Sequence, residues 1–365
     1  MGKESNFKEI FKFAGTYLSV CIGSGFATGQ EIMQFFSAHG IISILSSIIC
    51  MVIMSYCGAS LLEIGKTQKL KSSNEIFTYL CGDLIGRFFK ILMPAFFLFT
   101  FIVMISGAGA SINQYYGIDK NIGTLILIIL VLVSVLMGIN KVIDILGNIG
   151  PMIAIVAIGV GLITICRNFE TFMVADEIIN NLNVTKAVDS WWLTGIVYCG
   201  LNLIMATPFL VGVGATAKNR SNCIKGGILG SLVFMLAAMS LNLGIISDIQ
   251  NTYIREIPTL YMADKIGPMV GMMFSVMLIA GIYTTAVPLL WSVCNSFAEE
   301  KSEKFIIIAV VCSIISLIAG RLPFSMLVNL IYPLSGIFGI IIICSLFIKN
   351  LKKNKNVVLQ KGYRQ

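Results

Sequence analysis

The stretch "SVCIGSGFATGQE", Ser19–Glu31, interrupts the first apolar run of the chain with a cluster of small residues. Gly23, Ser24 and Gly25 stand together at its centre, and Gly29 follows one turn later. Glycine forms helices poorly, and each backbone N–H or C=O group left without a partner inside lipid costs several kcal/mol. The cluster therefore predicts a helix that opens at mid-membrane, where bound ligands replace the lost backbone partners.

The whole chain is apolar enough to lie in a membrane. Of its 365 residues, 57% are hydrophobic and 12% are charged, whereas about a quarter of the residues in soluble domains are charged. Ten apolar runs have roughly the length of 20 residues that crosses the hydrocarbon core. This pattern predicts an all-α polytopic membrane protein, a single integral membrane domain over 1–365, with about ten transmembrane helices. The predicted spans are 10–36, 41–64, 90–114, 123–140, 147–166, 193–216, 223–247, 269–298, 304–319 and 323–349.

The basic residues predict how the chain is oriented. About 20 of the 26 Lys and Arg residues lie in the termini and loops on one side of these spans. The positive-inside rule then places both termini, with the tail 350–365, in the cytoplasm, and the protein in the cell membrane. The net charge of +8 is explained by this topology, and no nucleic-acid partner is expected.

The order of the spans repeats. The glycine cluster of span 1 and the sequence Ala206-Thr207-Pro208 in span 6 are separated by about 183 residues, and the following spans keep a similar offset. Two five-span units, about 10–166 and 193–349, would cross the bilayer in opposite senses. An inverted repeat predicts that spans 1 and 6 are both discontinuous and that a binding site lies between them. The alternative is that the small residues mark tight helix packing and that the proline only kinks its helix.

Candidate ligands follow from the two predicted breaks. The amides of an outer half-helix starting near Phe26 favour an anionic group, and the carbonyls that end the inner half-helix, near Ser19–Ile22, favour a small cation. The aromatic and sulfur-containing side chains near the breaks predict a pocket for a small, neutral or apolar side chain. The predicted substrate-binding residues are Gly23, Ser24, Gly25, Phe26, Thr28, Ser106, Asn202, Met205, Thr207 and Phe209.

The sequence "IGSGFATGQEIMQFFSAHG" at 22–40 resembles the YkvI-like membrane transporter family of bacteria. That family resembles the amino acid–polyamine–organocation superfamily, which has the five-plus-five fold of the leucine transporter (LeuT). The resemblance implies that Gly23-Ser24-Gly25 is the opened segment that grips the carboxylate of a substrate.

The same resemblance implies a coupling sodium ion, with no other metal and no organic cofactor. Backbone carbonyls of Ser19 and Ile22 would bind it, together with the Ala280 carbonyl and the Thr284 hydroxyl from "IAGIYTTAVP" at 279–288. Tyr283 stands where relatives usually have a second hydroxyl, and Thr285 replaces it only if the register shifts. The alternative is that both threonines bond back to their own helix.

Glu31 is the ionisable residue nearest to the predicted break. No Lys, Arg, Asp or Glu lies well inside spans 3 to 10. Intramembrane carboxylates are usually functional, so Glu31 is predicted to be an outer gate or a proton carrier. The alternative is a solvated helix end at the outer interface.

These features predict a secondary active transporter of a small amino acid or similar carboxylate-bearing solute. The predicted mechanism is symport with sodium or a proton by alternating access. Spans 1, 2, 6 and 7 would rock against the rest. The alternative is a solute-sensing receptor on the same scaffold, as in ten-span spore-germination receptor subunits. An intramembrane enzyme is not expected, because the sequence offers no nucleophile–base pair.

Overall fold

The computed structural model describes residues 2–68, 70, 75–138 and 149–362. Every regular element in these ranges is a helix. The first half contains a short 3₁₀ segment at Ser37–Ile42 and nine α-helices. These helices are α1 Gly2–Cys21, α2 Ser24–Thr28, α3 Gln30–Phe35, α4 Ser43–Gln68, α5 Glu75–Tyr116, α6 Lys120–Met137, α7 Ile149–Arg167, α8 Phe169–Met173 and α9 Ala175–Asn180.

The second half continues with longer helices joined by short ones. They are α10 Trp191–Ala215, α11 Arg220–Ser247, α12 Ile249–Thr252, α13 Pro258–Ile266, α14 Pro268–Asn295, α15 Glu303–Ala319 and α16 Phe324–Gly362. Among the described residues, eight helices are long and apolar enough to cross a membrane, namely α4 to α7, α10, α11, α14 and α16.

The remaining two predicted spans also correspond to elements of the structure. The first is divided among α1, α2 and α3, and the ninth is α15, which has 17 residues. The order of the predicted runs is therefore reproduced, while the number of membrane crossings stays a prediction. The predicted ends at 139–140 and 147–148, and the last residues of the tail, 363–365, lie outside the described residues.

Glycines bring the backbones of the helices in one bundle into direct contact. A Cβ atom at Gly65 of α4 would lie 2.1 Å from the carbonyl oxygen of Val211 in α10. A Cβ atom at Gly214 of α10 would lie 2.2 Å from the carbonyl oxygen of Leu62. A Cβ atom at Gly227 of α11 would likewise lie too close to the backbone of α4. Without a hydrophobic driving force between helices in lipid, such close packing of small residues holds them together.

The sixth span, α10, is continuous, so the prediction that span 6 is discontinuous is wrong. It runs from Trp191 to Ala215 without a non-helical residue, and Pro208 lies inside it. Proline lacks an N–H group, but its fixed φ is compatible with a helix. The Thr207 hydroxyl donates to the carbonyl of Leu203 at 2.6 Å, and α10 is packed between α4 and α16. These contacts hold the helix together across the proline.

Candidate functional site

The first span opens at the predicted place. Helix α1 ends at Cys21, and α2 begins at Ser24 after Gly23, whose backbone is extended at φ −101° and ψ −171°. The Ile22 amide donates to Leu18 at 3.0 Å and closes the inner helix. The Ala27 amide donates to Gly23 at 3.0 Å and begins the outer one. The break is largely buried, because Ile22 and Ser24 through Phe26 are buried and Gly23 is half-buried.

The outer half of this span is not the single half-helix that was predicted. Gly29 adopts φ +79° and divides it into the five residues of α2 and the six of α3. The left-handed backbone of Gly29 is one that side chains other than glycine rarely adopt. In each of these short helices the backbone dipoles add up over less than two turns. The outer half of the span is therefore a weaker anion site than the N-terminus of a long helix.

Helix α13 closes over this outer half at the end of the bundle predicted to be extracellular. The Thr259 hydroxyl donates to the Ala27 carbonyl at 2.6 Å. A Cβ atom at Gly29 would lie 2.6 Å from the Thr259 methyl group. The side chain of Gln114 in α5 pairs with both backbone groups of Ile257, the residue that precedes α13. Ile257, just before α13, is thus bonded to span 3, while Thr259 within α13 is bonded to span 1.

Glu31 turns back from α3 into the break. Its side chain is buried, with the residue 5% exposed, and its Oε1 accepts a hydrogen bond of 2.7 Å from the Tyr198 hydroxyl. A Cβ atom at Gly25 would lie 2.3 Å from Oε2 of Glu31, so the carboxyl group rests on the glycine. The alternative of a solvated helix end is therefore wrong.

Tyr332 of α16 covers the same glycine from the other side. A Cβ atom at Gly25 would lie 2.5 Å from its ring. The Tyr332 hydroxyl lies within hydrogen-bond reach of the Ser24 hydroxyl and the Gly25 amide. Ser24 Oγ is fully buried and makes no well-formed hydrogen bond to the described residues. Polar groups of Ser24 and Gly25 thus face two side chains that a ligand can displace.

Several predicted substrate ligands are already engaged by their own helices. The Thr28 hydroxyl donates to the Gly25 carbonyl at 2.9 Å, and the Asn202 amide donates to the Tyr198 carbonyl at 3.0 Å. Thr207 donates within α10, as described above. Phe26 is buried, with its ring centroid 5.1 Å from that of Phe234 in α11. Phe26 is therefore part of an apolar wall. The role of Thr28, Asn202 and Thr207 in substrate binding stays a prediction.

The remaining predicted substrate residues are Ser106, Met205 and Phe209. The Ser106 hydroxyl donates to the carbonyl of Leu322 at 3.0 Å, and it is Met104 of the same helix whose methyl group would lie 3.2 Å from a Cβ atom at Gly23. Phe209 is 43% exposed, so its predicted place in the pocket is wrong. The physical reason is the unbroken helix, which puts Phe209 on the same face as the half-exposed Met205, four residues earlier.

The two threonines of the predicted cation site bond back to their helix. Thr284 and Thr285 donate to the Gly281 carbonyl at 2.9 and 3.0 Å, as the back-bonding alternative expected. The Tyr283 hydroxyl pairs with Ser134 of α6 at 2.6 Å, so it points to span 4. A hydroxyl that donates in this way keeps its lone pairs for a cation, so sodium binding stays a prediction.

Three backbone carbonyls were predicted to bind the cation, and of these only the Ile22 carbonyl stands at the break. Ile22 stands at the break itself, where the carbonyls of the inner helix lose their helical partners. Ser19 is half-buried against α7, where a Cβ atom at Gly150 would lie 2.8 Å from its hydroxyl oxygen. Ala280 belongs to the continuous helix α14. Sodium coordination by these three carbonyls stays a prediction.

Sequence reasoning missed Met104, Tyr198 and Tyr332. The tyrosines carried a usable signal, because a phenolic hydroxyl in the middle of an apolar span needs a polar partner. The carboxyl group nearest to the predicted break was Glu31; in the structure it accepts a hydrogen bond from Tyr198, and Tyr332 lies against the same Gly25. Met104 carried no signal, since a methionine in an apolar span is ordinary.

The fold and the opened first span define a class of protein, the multi-pass membrane proteins with the LeuT fold. MhsT in complex with L-phenylalanine has a TM-score of 0.63 and 13% identity, with 90% of this chain and 87% of that chain covered. A sodium-coupled sialic acid symporter has a TM-score of 0.55 and 14% identity, with 94% and 74% covered. A mutant of the manganese transporter of Eremococcus coleocola has a TM-score of 0.53 and 14% identity, with 93% and 78% covered.

Sequence comparison gives relatives of nearly the same length. The chain is 26% identical to the uncharacterized membrane protein YkvI of Bacillus subtilis over 357 residues, 95% of this chain and 97% of the relative. It is 21% identical to the uncharacterized protein YyaD of the same organism over 341 residues, 93% and 96% of the two chains. No sequence profile of a known family matches. The predicted resemblance to YkvI and the predicted LeuT fold are both confirmed.

Proposed function

We propose that the protein is a secondary active transporter that moves a small solute by alternating access. The observation that carries this proposal is the buried break of span 1, where the side chains of Glu31 and Tyr332 lie against Gly25. An unwound segment in the middle of a membrane helix is costly unless a ligand completes it. The solved neighbours with this fold include proteins described as transporters, which supports the same class for this chain.

The proposed substrate is a neutral amino acid or a similar carboxylate-bearing solute. The protein's own carboxyl group on Glu31 already fits against Gly25, so this position accepts a carboxyl group. Phe26, Phe234 and Met104 form an apolar surface beside it, which suits an apolar side chain. The neighbour that binds L-phenylalanine supports this substrate class.

The proposed driving force is a cation gradient. The candidates are sodium, at the carbonyls of Ser19, Ile22 and Ala280 with the threonine hydroxyls of span 8, and a proton at Glu31. Sodium dependence of uptake that disappears in Thr284→Ala would support sodium binding at the span 8 hydroxyls. Sodium dependence that survives the substitution would contradict the span 8 site.

Uptake into liposomes tests the proposal. The purified protein is reconstituted and given a pool of radiolabelled neutral amino acids under an inward sodium gradient and, separately, an inward proton gradient. Accumulation under either gradient, absent from protein-free liposomes, is the expected result. Binding of the pool without uptake under both gradients would favour the solute-sensing receptor and overturn the transporter.

A further inference from the structure

Glu31 is a buried carboxyl group. Within the described residues no Lys, Arg or His forms an ion pair with it, and the salt bridges seen there, Lys120–Glu256 and Arg220–Glu63, involve other carboxylates. The groups that bond or touch the carboxyl are the hydroxyl of Tyr198 and the backbone of Gly25. Burying an unpaired ionised carboxylate costs far more than this one hydrogen bond returns, whereas a proton on the carboxyl removes the cost.

The titratable side chains around Glu31 are two tyrosines and a cysteine, none of which carries a positive charge. They are Tyr198 from α10, Tyr332 from α16 and Cys21 from α1. The α5, α11 and α13 side chains at the break, Met104, Phe234 and Thr259, are not ionisable. None of these side chains balances an ionised Glu31, and α2 offers only the dipole of five residues.

The carboxyl group also stands where the break would receive a ligand. It lies against Gly25, one residue from the unsatisfied hydroxyl of Ser24. Two carboxylates at one site repel each other, so an ionised Glu31 and a substrate carboxylate are incompatible there. Either Glu31 is protonated when the substrate binds, or it turns out to water as the substrate enters. Both routes tie the protonation of this residue to occupation of the site.

We propose that Glu31 is the proton-binding group of the transport cycle. It takes up a proton from one side of the membrane, carries it through an occluded state in which the carboxyl group is buried as it is here, and releases it to the other side when the site opens. Tyr198 is a positioning residue that holds the carboxyl group against the break. This inference rests on the proposed transport function, and it selects the proton over sodium as the coupling ion.

The test compares Glu31→Gln, which keeps the shape and removes the titration, with Glu177→Gln, a matched exposed carboxyl on α9. Both variants are reconstituted with the same radiolabelled pool of neutral amino acids. Concentrative uptake is measured under a proton gradient, and exchange of labelled for unlabelled pool is measured at equal pH. With one proton per solute, a gradient of about one pH unit supports about tenfold accumulation. We expect Glu31→Gln to lose that accumulation and keep exchange, and Glu177→Gln to keep both.

Infrared spectroscopy of the reconstituted protein gives a readout that needs no substrate. A protonated carboxyl group in an apolar site has a carbonyl stretch distinct from that of carboxylates. We expect this band in the wild type and in Glu177→Gln and its loss in Glu31→Gln.

The outcomes distinguish a failure of the proton-binding inference from a failure of the proposed transport function. Wild-type accumulation in Glu31→Gln overturns the inference while the transporter stands. Loss of exchange together with accumulation makes Glu31 a substrate ligand and also overturns it. An infrared band that is absent from the wild type shows an ionised Glu31 in the occluded state, which contradicts the proposal. Wild-type protein that neither accumulates nor exchanges the pool defeats the proposed function, and the inference with it.

Discussion

Span 1 and span 6 occupy equivalent positions in the two repeats, yet only one of them is open. Span 1 leaves helical geometry between Cys21 and Ser24. Span 6 passes through Pro208 as one helix from Trp191 to Ala215. Both sequences contain residues that break helices, so the difference lies in what surrounds them.

Glycine and proline act differently in this packed bundle. Gly23 leaves helical geometry, and Gly25 leaves room for two side chains, Glu31 and Tyr332, to lie against it. Proline removes one hydrogen bond but keeps helical φ, and the neighbouring helices hold the rest of α10 in place. The site is therefore asymmetric. The first repeat supplies the open backbone and the carboxyl group, and the second supplies the tyrosines from α10 and α16.

The substitution with the largest expected effect fills the space beside Gly25, next to the break of span 1. In Gly25→Ala, the new Cβ atom would lie 2.3 Å from Glu31 Oε2 and 2.5 Å from the Tyr332 ring, so both must move. We expect uptake into liposomes to fall about tenfold or more, since the loss of one well-placed contact is worth about a factor of ten. The control is Gly15→Ala on α1, where a Cβ atom meets nothing within 4 Å. Equal uptake by the two variants would show that the Gly25 surface is not the site.

The next substitution tests what span 6, as an unbroken helix, contributes to the site at the break of span 1. Tyr198→Phe removes the hydroxyl that donates to Glu31 at 2.7 Å and keeps the ring. A hydrogen bond to a carboxyl group favours its ionised form, so its loss favours the proton. We expect the midpoint of the pH profile of uptake to move toward alkaline pH by about one unit, the size of one charge-assisted hydrogen bond.

The matched control for this substitution is Tyr283→Phe, because that hydroxyl pairs with Ser134 in another part of the bundle. An unchanged midpoint in Tyr198→Phe would show that the Tyr198 hydroxyl does not affect the protonation of Glu31. A midpoint that moves equally in both variants would point to a general effect on the bundle.

The same asymmetry explains how far the sequence could predict the molecule. Apolar runs, basic loops and the glycine cluster depend on local composition, so they predicted the order of the spans and an opening at the glycine cluster, which the structure places at Ile22 and Gly23. Pro208 also acts locally, but whether a helix opens there depends on its neighbours, and the sequence did not contain that information. Tyr332 reaches the break across about 300 residues of chain. Its role depends on helix packing that no local pattern encodes.

The smallest expected effect comes from Pro208 itself. In Pro208→Ala, an amide replaces the missing donor within a helix that is already continuous. We expect the variant to keep wild-type uptake and to gain stability, by at most about 3 kcal/mol, seen as a higher midpoint of thermal unfolding in detergent. Thr207→Val tests the same turn independently, since it removes the hydroxyl bonded to Leu203 at 2.6 Å and nothing from the break. Loss of uptake in Pro208→Ala with normal stability would show that span 6 opens at the proline in another state of the cycle. The two repeats would then be alike in mechanism and different only in the conformation described here.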